Sequence, residues 1–187
     1  MTITPPPISD TDIKAVRKYT EDVFAEALEN LSGLVSIPGI AWEAFDASEL
    51  DRSADAVAGL LRETEVFETV EILRSPTPQG PMGAPAVVAT RKARNSRPTF
   101  LLYAHHDVQP PGADELWESE PFKTEIRNGR MYGRGAADDK AGVIAHVYSI
   151  KALRELTQND FDLGLVVFIE GEEEAGSPSF ANFLVEK

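Results

Sequence analysis

Residues 99–107 read TFLLYAHHD, and residues 163–174 read LGLVVFIEGEEE. Each is an apolar, β-prone run that ends abruptly in side chains able to ionise or to bind a metal. A nearly continuous apolar run is the pattern of a strand covered on both faces. Between the two runs, Ala141–Leu156 places Val143, Val147, Ile150 and Leu153 on one helical face. Strand, helix, strand in that order predicts two parallel strands at the centre of one sheet. Helices on both faces would make a three-layer α/β arrangement around a mixed sheet. Ligands in such sheets sit beyond the carboxyl ends of the strands.

Three polar clusters fall at that edge. His105-His106-Asp107 follows the first strand, Asp138-Asp139 opens the helix, and Glu170 with Glu172-Glu173-Glu174 follows the second strand. Taken singly, each has an ordinary explanation: a solvated strand end, a helix-start cap, a charged loop. Their convergence on one edge points to chemistry. In extended backbone His105 and Asp107 point the same way. One can ligate a metal while the other holds the second ring nitrogen, as metal-bound histidines usually require. Asp138 could be shared between two cations. Three glutamates facing Asp107 and Asp138 would repel one another in a cleft unless cations neutralise them. A glutamate beside a metal-bound water is also the general base of metal-assisted hydrolysis. Spacing alone does not choose among Glu172, Glu173 and Glu174.

Outward from this centre the pattern is that of a globular domain. Ile13, Val16, Val23, Ala27, Leu31 and Leu34 predict a first helix that ends near Pro38-Gly39. Leu50, Ala54, Val57 and Leu61 predict a second over Ser48–Thr64. Strands are expected near Val66–Ile72 and over Ala86–Thr90, with a Pro- and Gly-rich loop between them. Asn128-Gly129 is a hairpin signal. Ser177-Pro178 reads as an N-cap followed by proline at the first helical position. Residues 1–10, with three consecutive prolines, are expected to form an extended arm. His146 lies inside the predicted helix and reads as structural. Gly133-Arg134-Gly135 lacks the Gly-Lys-Ser/Thr ending of a phosphate loop.

Composition narrows the function classes. With 42% apolar and 26% charged residues the chain has an ordinary globular balance. A net charge of −13 disfavours nucleic acid and anionic lipid as partners. There is no cysteine, so a transition metal must be held by His, Asp or Glu. No basic, apolar leader opens the chain, and no apolar run reaches the roughly 20 residues of a membrane span. A cytoplasmic location is expected.

The ordered text YAHHDVQPPGADELWESEPFKTEIRNGRMYGRGAADDKAG, followed by VVFIEGEEEAGSPSF, is similar to one metallopeptidase family. That family holds the carnosinase-type dipeptidases, aminoacylase, succinyl-diaminopimelate desuccinylase and carboxypeptidase G. The resemblance runs from about Phe100 to Phe180. It implies a zinc-peptidase (phosphorylase/hydrolase-like) fold, with residues 11–187 as the N-terminal, truncated portion of the catalytic domain. It also implies two zinc ions, with manganese or cobalt as alternatives, held by His105, Asp138 and Glu174, Asp138 bridging them. Asp107 would orient His105, and Glu173 would be the general base that takes a proton from a water shared by the ions. The Asp138–Asp139 peptide is expected to be cis. HHDVQPPG and GAADDK resemble the dipeptidase branch, so hydrolysis of small peptides is expected. N-acyl amino acid deacylation is the alternative within the family, and a non-catalytic domain that keeps the fold is the alternative outside it. The resemblance further implies a homodimer formed through a lid domain. That domain, one further carboxylate ligand and one late histidine have no counterpart in this text, so the 187 residues alone are expected to be inactive.

Overall fold

The computed structural model describes residues 9–186. Most of the expected proline arm lies outside them; Ser9 and Asp10 instead open the first helix. α1 (Asp10–Val35) and α2 (Ser48–Glu63) lead into β1 (Thr69–Leu73) and β2 (Ala86–Arg91). β3 (Thr99–His105), the hairpin strands β4 (Glu125–Arg127) and β5 (Arg130–Tyr132), α3 (Lys140–Thr157), β6 (Gly164–Glu170) and α4 (Phe180–Glu186) follow. No helix among the described residues is long and apolar enough to cross a membrane.

Local chemistry explains several element ends. The Ser9 hydroxyl accepts from the Asp12 backbone N–H, and the Asp12 carboxylate accepts from the Ser9 N–H. Two free donors of the first turn of α1 are thus satisfied reciprocally. Asn128 and Gly129 both have positive φ, 51° and 74°, as the tight turn between β4 and β5 demands. The last helix begins later than Ser177-Pro178 suggests. Ser177 has φ 52°, outside the conformation of an N-cap, and the helix starts at Phe180 behind Ser179. The Ser179 N–H donates to the Glu172 carboxylate.

β1, β2, β6 and β3 form the sheet in that order, with β3 and β6 parallel and the other pairs antiparallel. The register sets His105 beside Glu170 at the carboxyl end of the parallel pair. Leu31, Leu34 and Val35 of α1, Val57 and Leu61 of α2, and Val143, Val147 and Ile150 of α3 are buried with Val87, Ala89, Leu165, Val167 and Ile169 of the sheet. α4 lies on the opposite face, where Phe180 and Phe183 meet Phe168 edge-on.

Two expectations need correction. The apolar stripe of α1 is buried only in its second half; Ile13, Val16 and Phe24 are exposed. β3 is adjacent and parallel to β6 as expected, but it is an edge strand and not a central one. Nor is it covered on both faces: Phe100, Leu101 and Tyr103 are 51%, 64% and 43% exposed. An apolar run records which faces need cover, and among the described residues α4 reaches only part of one of them. A flat apolar edge of this kind pairs readily with another chain. The 187-residue chain, purified alone, is expected to self-associate as its concentration rises. Light scattering that reports a monomer throughout would contradict this.

Candidate metal centre

Each of the three clusters comes from a different segment, and the fold brings all of them to the carboxyl end of β3 and β6. His105 is the last residue of β3 and is 5% exposed. Its Nδ1 lies 3.1 Å from the Asp107 carbonyl and 3.3 Å from Asp107 Oδ1. Nε2 faces the other way, 3.0 Å from Asp138 Oδ1 and 3.7 Å from Glu173 Oε2. Burial alone would depress the His105 pKa. The hydrogen bond and charge of Asp107, with Asp138 behind them, outweigh it and raise the value to about 9.

Asp107 is fully buried, and its carboxylate ties three parts of the centre together. Oδ1 accepts from the Glu173 N–H at 3.2 Å and Oδ2 from the Glu174 N–H at 3.0 Å. One side chain therefore orients the His105 ring and holds the turn that carries the two glutamates. His106, its neighbour, points into the interior, as period-two alternation requires. It is fully buried, with Nε2 at 2.8 Å from the Pro85 carbonyl. Burial pushes its pKa down to about 4, so it stays neutral there.

The glutamate run divides by role. Glu172 turns inward: its carboxylate accepts from the Ala84 N–H and from the backbone and hydroxyl of Ser179. That is a structural anchor for the 83–84 loop and for α4. Glu173 and Glu174 face the centre. With His105 they offer one donor atom each, all within 4.8 Å of one another. Glu170 is buried and accepts from the Tyr103 hydroxyl at 2.8 Å; burial raises its pKa.

The Asp138–Asp139 peptide is cis, as expected. The Asp139 carboxylate accepts from the His105 N–H at 3.3 Å, so the two aspartates hold opposite ends of the same residue. A Cβ on Gly142 would meet Asp139 Oδ1 at 2.2 Å, which is why a glycine stands in the first turn of α3. Lys140, not singled out in the sequence, is 1% exposed. Its Nζ donates to the carbonyls of Leu34 and Ile37, at 2.7 and 2.6 Å, and so ties the end of α1 to the start of α3. Burial lowers its pKa to about 8. Gln109 was also missed. The alternation that pairs His105 with Asp107 puts Gln109 on the same side, and it does contact Glu174. His146 lies 2.9 Å through Nε2 from the Tyr103 carbonyl, which agrees with a structural role.

This donor set suits zinc. It offers one imidazole nitrogen and carboxylate oxygens, with Nδ1 already engaged and Nε2 left to bind. Two donors at about 2.0–2.1 Å from a tetrahedral zinc lie about 3.3 Å apart. The spacing of His105 Nε2 from Asp138 Oδ1, 3.0 Å, is close to that value.

Residues 101–187 match the profile of peptidase family M20/M25/M40. Cysteinylglycine-S-conjugate dipeptidase of Corynebacterium striatum is 37% identical over 107 residues, which are 57% of this chain and 22% of that protein. Succinyl-diaminopimelate desuccinylase 2 of a Ruegeria species is 39% identical over 93 residues, 50% of this chain and 23% of that protein. The crystal structure of human carnosine dipeptidase 1 superposes with a TM-score of 0.80 at 27% identity, covering 96% of this chain and 38% of that one. The chain thus spans about a fifth of the length of the curated relatives it matches.

Proposed function

We propose, for a chain whose residues 101–187 match the profile of peptidase family M20/M25/M40, that it supplies part of a two-zinc centre for hydrolysing dipeptides. The observation that carries this reading is that His105, Glu173 and Glu174 offer donor atoms within 4.8 Å of one another and that Asp138 Oδ1 lies 3.0 Å from His105 Nε2, with Asp107 holding His105 and the two glutamates in place. His105, Asp138 and Glu174 would hold the metal, Asp138 as the shared carboxylate. A zinc ion held there would polarise the scissile carbonyl and make a nearby water more acidic.

The remaining steps belong to the protein. Asp107 accepts the Nδ1 proton of His105 and so fixes Nε2 as the ligand atom. Glu173, 43% exposed at the open side of the centre, can take a proton from the attacking water. It then returns that proton to the leaving amine, so that acid and base are one carboxyl group. Catalytic zinc normally has three protein ligands and one open position. His105 and Asp138 would offer one ion two ligands, and Asp138 with Glu174 would offer the other two. We therefore propose that these 187 residues alone hold metal weakly and turn over no substrate. A cytoplasmic location, as the lack of a leader-like or membrane-spanning pattern in this text suggests, is proposed, together with the homodimer that the resemblance implies.

The test is a substrate panel. The complete gene product, loaded with zinc, is assayed on dipeptides and on N-acetyl and N-succinyl amino acids, with the 187-residue chain beside it. Hydrolysis of dipeptides by the complete product alone is expected. Preference for the N-acyl substrates would replace the reading with a deacylase, which the desuccinylase relative keeps in view. Metal binding without turnover of either class would leave a non-catalytic domain. Turnover by the 187-residue chain within about tenfold of the complete product would overturn the inactivity proposal.

A further inference from the structure

We propose that Gln109 is a positioning residue that holds Glu174 as a one-oxygen metal ligand; this rests on the two-zinc reading above. The Gln109 Nε2 donates to Glu174 Oε2 at 2.8 Å and to the Glu174 backbone carbonyl at 3.1 Å. A side-chain amide nitrogen carries two hydrogens, and this pair of contacts uses both. The same residue is thus gripped by its main chain and by its carboxylate, which fixes the rotamer of Glu174. One carboxylate oxygen is occupied by the amide, and Oε1 is left for the ion. A carboxylate without such a partner can turn and bind an ion through both oxygens. That would take up a coordination position needed for water or substrate.

The loop that carries Gln109 is rigid for reasons of its own. Val108 is fully buried, and its N–H donates to the Gly39 carbonyl at 2.9 Å. Pro110 follows, and a residue before proline is held in extended backbone. Asp107 and Gln109, alternate residues of one extended segment, grip the same turn. Asp107 takes the N–H groups of Glu173 and Glu174. Gln109 takes the carbonyl and carboxylate of Glu174. Asp107 places the turn, and Gln109 decides which oxygen faces the ion. Outer partners of metal ligands typically contribute 10–100-fold in affinity.

The test uses the complete gene product as wild type, Gln109→Met and Gln109→Glu. Methionine keeps the length and loses the donor; glutamate sets a second carboxylate against Glu174. Zinc affinity is read for each ion by competition with a chromophoric chelator. Coordination is read from the visible absorption of the cobalt-substituted protein. The expected result is a loss of about 10–100-fold in affinity for one of the two ions in Gln109→Met, with the other ion unchanged. Gln109→Glu should lose more. Cobalt absorption at the affected site should weaken as the coordination number rises, and the thermal midpoint of the metal-free protein should stay near wild type. Wild-type affinities and an unchanged cobalt spectrum in Gln109→Met would overturn the proposal. So would an equal loss at both ions together with a fall in metal-free stability, which would make Gln109 a loop tie only. A wild type that binds no zinc would bring down the two-zinc reading itself, and this proposal with it.

Discussion

Replacing Glu173 by glutamine in the complete gene product is expected to lower kcat by about 10²–10⁴-fold, the usual contribution of a positioned general base. Zinc content should not change. Glutamine keeps the size of the side chain and its reach toward His105, where the carboxylate now stands at 3.7 Å. It cannot accept the proton of the attacking water. The turn itself should survive, because Asp107 holds it by the backbone N–H of residue 173, which the substitution leaves intact. Glu174→Gln is the informative control. It removes a proposed ligand, so it should lose zinc as well as turnover. If Glu173→Gln retained activity within about tenfold of wild type while Glu174→Gln kept its zinc, the roles given to the two neighbours would be wrong.

Asp107→Asn should cost metal affinity and stability together, although the two side chains have the same shape. The carboxylate is fully buried and uses both oxygens as acceptors, one for the Glu173 N–H and one for the Glu174 N–H. An asparagine offers one oxygen and one NH2 group. Whichever way the amide is turned, one backbone donor meets another donor. A buried donor left unpaired costs about 1–3 kcal/mol, and the loss of the negative charge beside His105 adds to it. The ring is no longer held with Nε2 outward, so zinc affinity should fall about 10–100-fold. The His105 pKa should fall as well, since Asp107 is the main group that raises it. Titration of His105 by NMR in the metal-free protein and zinc competition measure the two effects separately. An unchanged histidine pKa with wild-type zinc affinity would remove Asp107 from the centre.

These expectations depend on how far the sequence could be read. The strand–helix–strand unit was legible because its elements are long and strongly patterned: two apolar runs around one amphipathic helix. The hairpin at Asn128-Gly129 was legible because only a few residue pairs tolerate two successive positive φ angles. Ser177-Pro178 misled because a local cap signal competes with a distant partner. The Glu172 carboxylate takes the Ser179 N–H and moves the helix start two residues on. The α1 stripe misled for another reason. Periodicity shows that a face is apolar, but not what lies opposite it, and Ile13 and Val16 in the first half of α1 are left exposed.

By itself the sequence determined the fold class, the order of the elements, and the edge of the sheet where His105-His106-Asp107, Asp138-Asp139 and the glutamates 170–174 gather. Those features follow from period, run length and alternation, which are properties of neighbours along the chain. The family resemblance singled out Glu173 and Glu174, and only the tertiary structure decided that Glu172 is an anchor for Ala84 and Ser179. The same holds for Lys140, which joins α1 to α3 through two carbonyls more than 100 residues away in sequence. The position of β3 at the edge of the sheet belongs here too. Each of these depends on a partner brought close in space from far along the chain. The residue type states what partner a group needs, and the packing of distant segments settles which one it meets.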